Sequence, residues 1–219
     1  MNPKKTNQSE QEESPEIQGI ESDTIIMTTP DDYKSRTTGL YGTVDEEKCR
    51  DLISSLYYLK ETGVIETIEN ANSENPIRTT TYDPIEFIIS TEGGSVQDMF
   101  SVYDVIRDIR QNFEIGMFGM GKVMSAGVLL LASGTKGKRK VGRNCRLMLH
   151  AISGGQFGSL KELEVDIKEV KWYQARYIAC LAEETGMSER KIRSLFRKKT
   201  DTFFDAQQAV EWGIADEII

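Results

Sequence analysis

The sequence predicts an α/β fold built on a largely parallel sheet, and three observations carry that prediction. First, Ile85 to Ser90 is a mostly apolar, strand-like run that passes through Thr91-Glu92-Gly93-Gly94 into a helix. Ser95 is placed to cap that helix, and Met99, Val102, Ile106 and Ile109 recur along it every three or four residues. Second, the same order follows at once, with Glu114 to Met120 reading as a strand and Ser125 to Ser133 as a helix. Third, a long helix starts at the capping box Ser159-Leu160-Lys161-Glu162. It carries Leu160, Leu163, Ile167, Val170, Tyr177 and Leu181 on one stripe and ends at Gly186.

The other elements follow in chain order. Residues 1–23 are polar and mostly acidic, with too little apolar surface to offset the entropy of ordering, so they read as a disordered, solvated tail. A single domain is expected over 24–219. Thr24 to Thr29 looks like a strand ended by Pro30-Asp31-Asp32, and Thr37 to Tyr41 like a second one ended by Gly42. Thr43-Val44-Asp45-Glu46 fits a capping box with Thr43 as the cap, opening a helix with Leu52, Leu56 and Leu59 inward and a stop near Gly63. Residues 64–83, with Pro76 and Thr79-Thr80-Thr81, read as a loop or hairpin inserted on the surface. Arg139 to Val141 and Cys145 to Leu149 are short strands, and Gly154 to Gly158 is a glycine-rich extended segment. Ser188 caps a short basic helix through Lys198, and Asp205 caps a last one through Trp212, stopped by Gly213.

Composition narrows the function. The chain has 219 residues, 38% of them hydrophobic, which suffices for a domain with a sizeable core. A formal net charge of −8 argues against a nucleic-acid binder, and the basic run from Arg190 to Lys199 reads as a solvated helix face. Cys49, Cys145 and Cys180 are far apart and form no CxxC pair; with one histidine in the chain, a zinc site is not expected. No apolar leader opens the chain, and the longest apolar run, Val128 to Ala132, is too short to span a bilayer. The expectation is a cytoplasmic protein.

Three places carry candidate chemistry. Gly93-Gly94 lies between a strand and a helix, where backbone N–H groups can hold an anion; taken alone the pair reads as a tight turn. No GxGxxG and no Walker lysine is present, so nucleotide binding is not expected. Ser125 opens a helix next to the small residues Ala126 and Gly127, but Val123 stands where a nucleophile elbow has its first glycine. A serine there usually only caps the helix. The N–H of Ala126 and the helix dipole can nonetheless stabilise an oxyanion. His150 is the sole histidine and ends a strand. To act as a base beside Ser125 it needs a carboxylate on its other nitrogen. Asp201, beside Phe203-Phe204, is the preferred candidate, with Asp216 allowed by spacing and Asp166 placed on a polar helix face.

In combination these stretches resemble the ClpP serine peptidases. The resemblance runs from Tyr41 to Ile218 through strand–Gly-Gly-Ser–helix, Met-Ser-Ala-Gly, Leu-Met-Leu-His, Thr-Gly-Met-Ser, and the segment from Asp201 through Phe203-Phe204 and Trp212-Gly213 to Asp216. It implies the ClpP/crotonase-like fold with a long protruding, handle-like helix, and stacked rings of subunits, heptamer or tetradecamer, homo- or hetero-oligomeric, around a chamber. It implies Ser125 as nucleophile, His150 as general base, Asp201 as its orienting carboxylate, and the N–H groups of Gly94 and Ala126 as oxyanion hole. Gly154, Gly155, Gln156 and Phe157 would run beside an extended substrate. No metal and no cofactor are implied. Substrates would be unfolded polypeptides, delivered by a separate AAA+ unfoldase.

Several positions depart from the family pattern. Glu92 replaces a proline, Ala126 a methionine, Ala151-Ile152 a Gln-Pro pair and Thr200 an arginine, while Glu86 and Ile88 stand where tyrosines face the unfoldase. Backbone donors survive the first two changes. Three other readings stay open: a catalytically weak ClpP-like ring subunit, a Ser–Lys peptidase using Lys122, and acyl-CoA chemistry on the same fold.

Overall fold

The computed structural model describes residues 24–27, 35–155, 157–198 and 200–219. In chain order the elements are β1 (Thr24–Met27), β2 (Thr37–Val44), α1 (Glu46–Thr62), β3 (Val64–Glu69), β4 (Ile77–Tyr82), β5 (Ile85–Gly94), α2 (Val96–Ile109) and β6 (Ile115–Met124). They continue as α3 (Ala126–Ala132), β7 (Arg139–Val141), β8 (Arg146–Leu149), α4 (Leu160–Glu184), α5 (Glu189–Phe196), β9 (Thr202–Phe204), α6 (Ala206–Glu211) and β10 (Glu217–Ile218). The expected tail, residues 1–23, lies outside the described residues.

Contacts divide the chain into two compact units. Among the described residues the smaller one holds 24–27 and 65–81. Its strands run in the order β1-β3-β4, with β1 antiparallel to β3. The inserted segment is thus a strand pair rather than a loop, as β-branched Thr79-Thr80-Thr81 favours.

The larger unit is an α/β structure around a parallel sheet of order β10-β7-β6-β5-β2. Along β5, Ile85, Phe87, Ile89 and Thr91 are buried and the residues between them are more exposed. One face of the strand therefore feeds the core. α3 is buried along its whole length and packs on β5 and β6. Strand β6 changes partner midway: Met117 to Gly119 pair with β7, and Lys122 to Met124 pair with β8. That fork puts β8 beside the end of β6, just before Ser125. Strand β9 pairs antiparallel with β8. It was not expected from the sequence, because three residues carry no readable period.

The caps test the local reading. Ser95, Ser188 and Asp205 each accept a backbone N–H three residues on, and Ser159 with Glu162 forms the expected capping box. At α1 the cap is Asp45, which accepts from Lys48 N, and Thr43 remains in β2. Thr43 is two residues too early because β2 stays paired with β5 through Val44.

Helix α4 also differs from expectation. Its side chains are fully buried only from Tyr177 onward, while Leu160 is 75% and Ile167 is 52% exposed. Helical spacing marks an apolar stripe but does not say what covers it.

Ion pairs with one buried partner tie elements of this unit together. Arg139, 4% exposed, reaches Asp216 Oδ1 at 2.5 Å and Oδ2 at 2.8 Å. Glu184, 2% exposed, takes a two-pronged contact from Arg110 and a hydrogen bond from the Tyr103 hydroxyl.

Candidate active site

Ser125 occupies the turn from β6 into α3 with φ 53° and ψ −118°. A serine rarely adopts such a conformation, which holds only where the surroundings over-determine it. Ser125 N–H donates to the Met148 carbonyl at 2.8 Å. Its own carbonyl accepts Val128 N–H at 3.1 Å and the Tyr177 hydroxyl at 2.9 Å. The side chain makes no capping hydrogen bond. It turns instead to His150, with Oγ 2.8 Å from Nε2. The parallel register of β6 and β8, with Met124 opposite Met148, brings the two residues together at neighbouring strand ends.

The Gly93-Gly94 turn packs directly against Ser125. Gly93 has φ 96°, and a Cβ built on it would lie 2.6 Å from Ser125 Cβ. A side chain on Gly94 would run into the Val44 carbonyl. Buried Thr91 braces the turn: its hydroxyl accepts Gly93 N–H at 2.9 Å and donates to the Gly42 carbonyl. Gly93, Gly94, Ser125, Ala126 and His150 line one cavity of about 400 Å³, whose apolar wall includes Val96 and Met99. Ala126 is the first residue of α3, so its N–H has no acceptor within the helix.

The candidate carboxylates separate clearly. Asp216 is engaged with Arg139, and its Oδ2 also accepts the N–H groups of Gly137 and Arg139. Burial by itself would raise its pKa, but the Arg139 and Gly137 hydrogen bonds hold it below the ordinary carboxylate value. Asp166 lies on the half of α4 that buries no side chain fully. Asp201 is exposed and makes no hydrogen bond to His150. The antiparallel register of β8 with β9 ends with Leu149 opposite Thr202, so His150 and Asp201 adjoin the last paired residues. Beside it the Thr202 hydroxyl is buried without a partner.

The alternative base, Lys122, points elsewhere. Its ammonium lies 2.7 Å from Glu92 Oε2, and Glu92 Oε1 also accepts the Thr43 hydroxyl at 3.0 Å. Those contacts hold the Glu92 carboxyl below its usual pKa, the Lys122 hydrogen bond contributing most. Gly154, Gly155 and Phe157 lie in an exposed stretch without strand pairing, and Gln156 falls outside the described residues. Among the described residues there is no cluster of three His, Cys, Asp or Glu side chains that could hold a metal. Nor is any helix among them long and apolar enough to cross a membrane.

Two residues of this site were not anticipated. Thr91 was read as part of the turn after the strand, and Tyr177 as part of an apolar stripe. A tyrosine in a stripe of leucines and isoleucines was the available signal, since a buried phenol needs a hydrogen-bond partner.

Comparison with known proteins agrees with the resemblance. The model of the Clp protease family matches residues 76–219. The ATP-dependent Clp protease proteolytic subunit 3 of Frankia casuarinae is 30% identical over 186 residues, 85% of this chain and 78% of that protein.

Proposed function

The chain belongs to the Clp protease family, a Clp-type protease, and on that premise we propose that it is a serine endopeptidase working through Ser125, His150 and Asp201. The observation that carries this reading is the 2.8 Å contact between Ser125 Oγ and His150 Nε2. With the proton of a neutral imidazole on Nδ1, Nε2 accepts the serine hydroxyl and takes its proton as Oγ attacks the scissile carbonyl. Asp201 swings to Nδ1–H and stabilises the imidazolium. The N–H groups of Gly94 and Ala126 receive the developing oxyanion. His150 then returns the proton to the leaving amine, and water resolves the acyl-enzyme.

The chain would take unfolded polypeptide in extended form along Gly154, Gly155, Gln156 and Phe157. The exposed apolar residues on the first half of α4 suit contacts with further subunits in a ring, and an AAA+ unfoldase would deliver the substrate. The unmade contact between Asp201 and His150 favours one second reading, a ring component with little activity of its own.

Labelling by a fluorophosphonate, read by intact mass beside light scattering, tests the proposal. One adduct is expected on the native chain, none on Ser125→Ala or His150→Ala, and a loss of roughly 10³-fold or more in labelling rate for Asp201→Asn. Labelling that persists in Ser125→Ala overturns the assignment. An assembled native ring that stays unlabelled supports the second reading.

A further inference from the structure

Tyr177 stands in the last third of α4, 52 residues from Ser125, yet touches it directly. Its side chain is buried at 4% exposure, and its ring packs on Phe196 with centroids 5.8 Å apart. Its hydroxyl donates to the Ser125 carbonyl at 2.9 Å. Burial pushes the phenol well above its ordinary pKa, so it stays a donor throughout the neutral range.

The peptide bond is planar, so the Ser125 carbonyl and the Ala126 N–H lie in one rigid plane and point in opposite directions. Whatever fixes the carbonyl therefore also aims the N–H. The carbonyl has two holders: Val128 N–H, inside the same short helix, and Tyr177, from another element. Only the second can keep the plane from rotating together with its own helix turn.

We propose that Tyr177 is a positioning residue, whose hydrogen bond to the Ser125 carbonyl holds the strained turn and aims the Ala126 N–H into the cavity where negative charge develops. This rests on the reading of Ser125 as nucleophile and Ala126 as oxyanion donor. Tyr177 lines the same cavity, but its hydrogen bond goes to the Ser125 carbonyl rather than to Ser125 Oγ or His150 Nε2. Its effect falls on transition-state stabilisation rather than on binding of the ground state.

The test uses the full chain and saturation kinetics of fluorophosphonate labelling, which separates the bond-forming rate constant from the apparent binding constant. Tyr177→Phe keeps the ring and removes the hydroxyl. The rate constant should fall roughly three- to tenfold, the factor one ordinary hydrogen bond sets, with the binding constant unchanged within about twofold. Phe196→Leu loosens the packing of the ring but leaves the hydroxyl. It should lower the melting temperature and leave the rate constant within about twofold of native. A native chain that labels while Tyr177→Phe labels equally fast overturns this inference alone. A slowed Tyr177→Phe matched by an equally slowed Phe196→Leu also overturns it, because packing would then explain both. A native chain that never labels overturns this inference together with the peptidase reading.

Discussion

Gly93→Ala should damage the site by a route the geometry makes quantitative. The new methyl would sit 2.6 Å from Ser125 Cβ, 3.0 Å from the Met124 carbonyl and 3.1 Å from Ser125 Oγ. Carbon–carbon contact is optimal near 3.5–4.0 Å, so Ser125 must retreat by roughly 1 Å. A displacement of that size at a reacting atom costs on the order of 10²-fold in rate. The backbone term is separate: alanine at φ 96° is strained by about 1–3 kcal/mol. Gly137→Ala isolates that term, because Gly137 has φ 82° but nothing within 4 Å of an added Cβ. In thermal unfolding Gly137→Ala should lose the backbone share alone, and Gly93→Ala should lose more because of the added contact. Only Gly93→Ala should lose fluorophosphonate reactivity, by about 10²-fold. If it labels within about twofold of native, or if Gly137→Ala slows equally, the contact argument is wrong.

Two further outcomes follow from the ion pairs. Lys122→Met should leave labelling within about twofold of native, because the ammonium serves Glu92 rather than Ser125; loss of labelling would revive the Ser–Lys mechanism. Asp216→Asn leaves Arg139 buried and uncompensated, and should cost about 3 kcal/mol at neutral pH, or roughly 6–12 °C in melting temperature. The sign with pH is set by the lowered pKa of Asp216 in the fold. Its contribution is present in full above the unfolded carboxylate value near ~4 and is lost as pH falls through the lower folded value. The gap in melting temperature between native and Asp216→Asn should therefore narrow below about pH 4, and a gap that is constant with pH refutes the linkage.

Much of this was legible in the chain. Caps at Ser95, Ser159, Ser188 and Asp205 were readable because capping is local: a side chain meets an N–H three residues away. The apolar face of β5 and the helix after it were readable from period alone. In two places tertiary pairing overrode a local rule. Thr43 has the chemistry of a cap but is held in β2 by pairing with β5, and Ser125 has the position of a cap but turns its hydroxyl to His150. The stripe on α4 was real as a pattern, but half of it is uncovered in the single chain.

By itself the sequence determined the order of the main strands and helices, the parallel sheet that order requires, and the small set of side chains able to do chemistry: one histidine, a serine among small neighbours and a Gly-Gly turn. Only the tertiary structure decided which of them meet. The fork in β6 brings Ser125 to His150 across 25 residues, Arg139 takes Asp216 away from that pair, and Tyr177 reaches Ser125 across 52 residues. The reason is physical: local propensity is set by neighbours three or four residues away, whereas a site is made by strand register and burial, which depend on what the rest of the chain packs against.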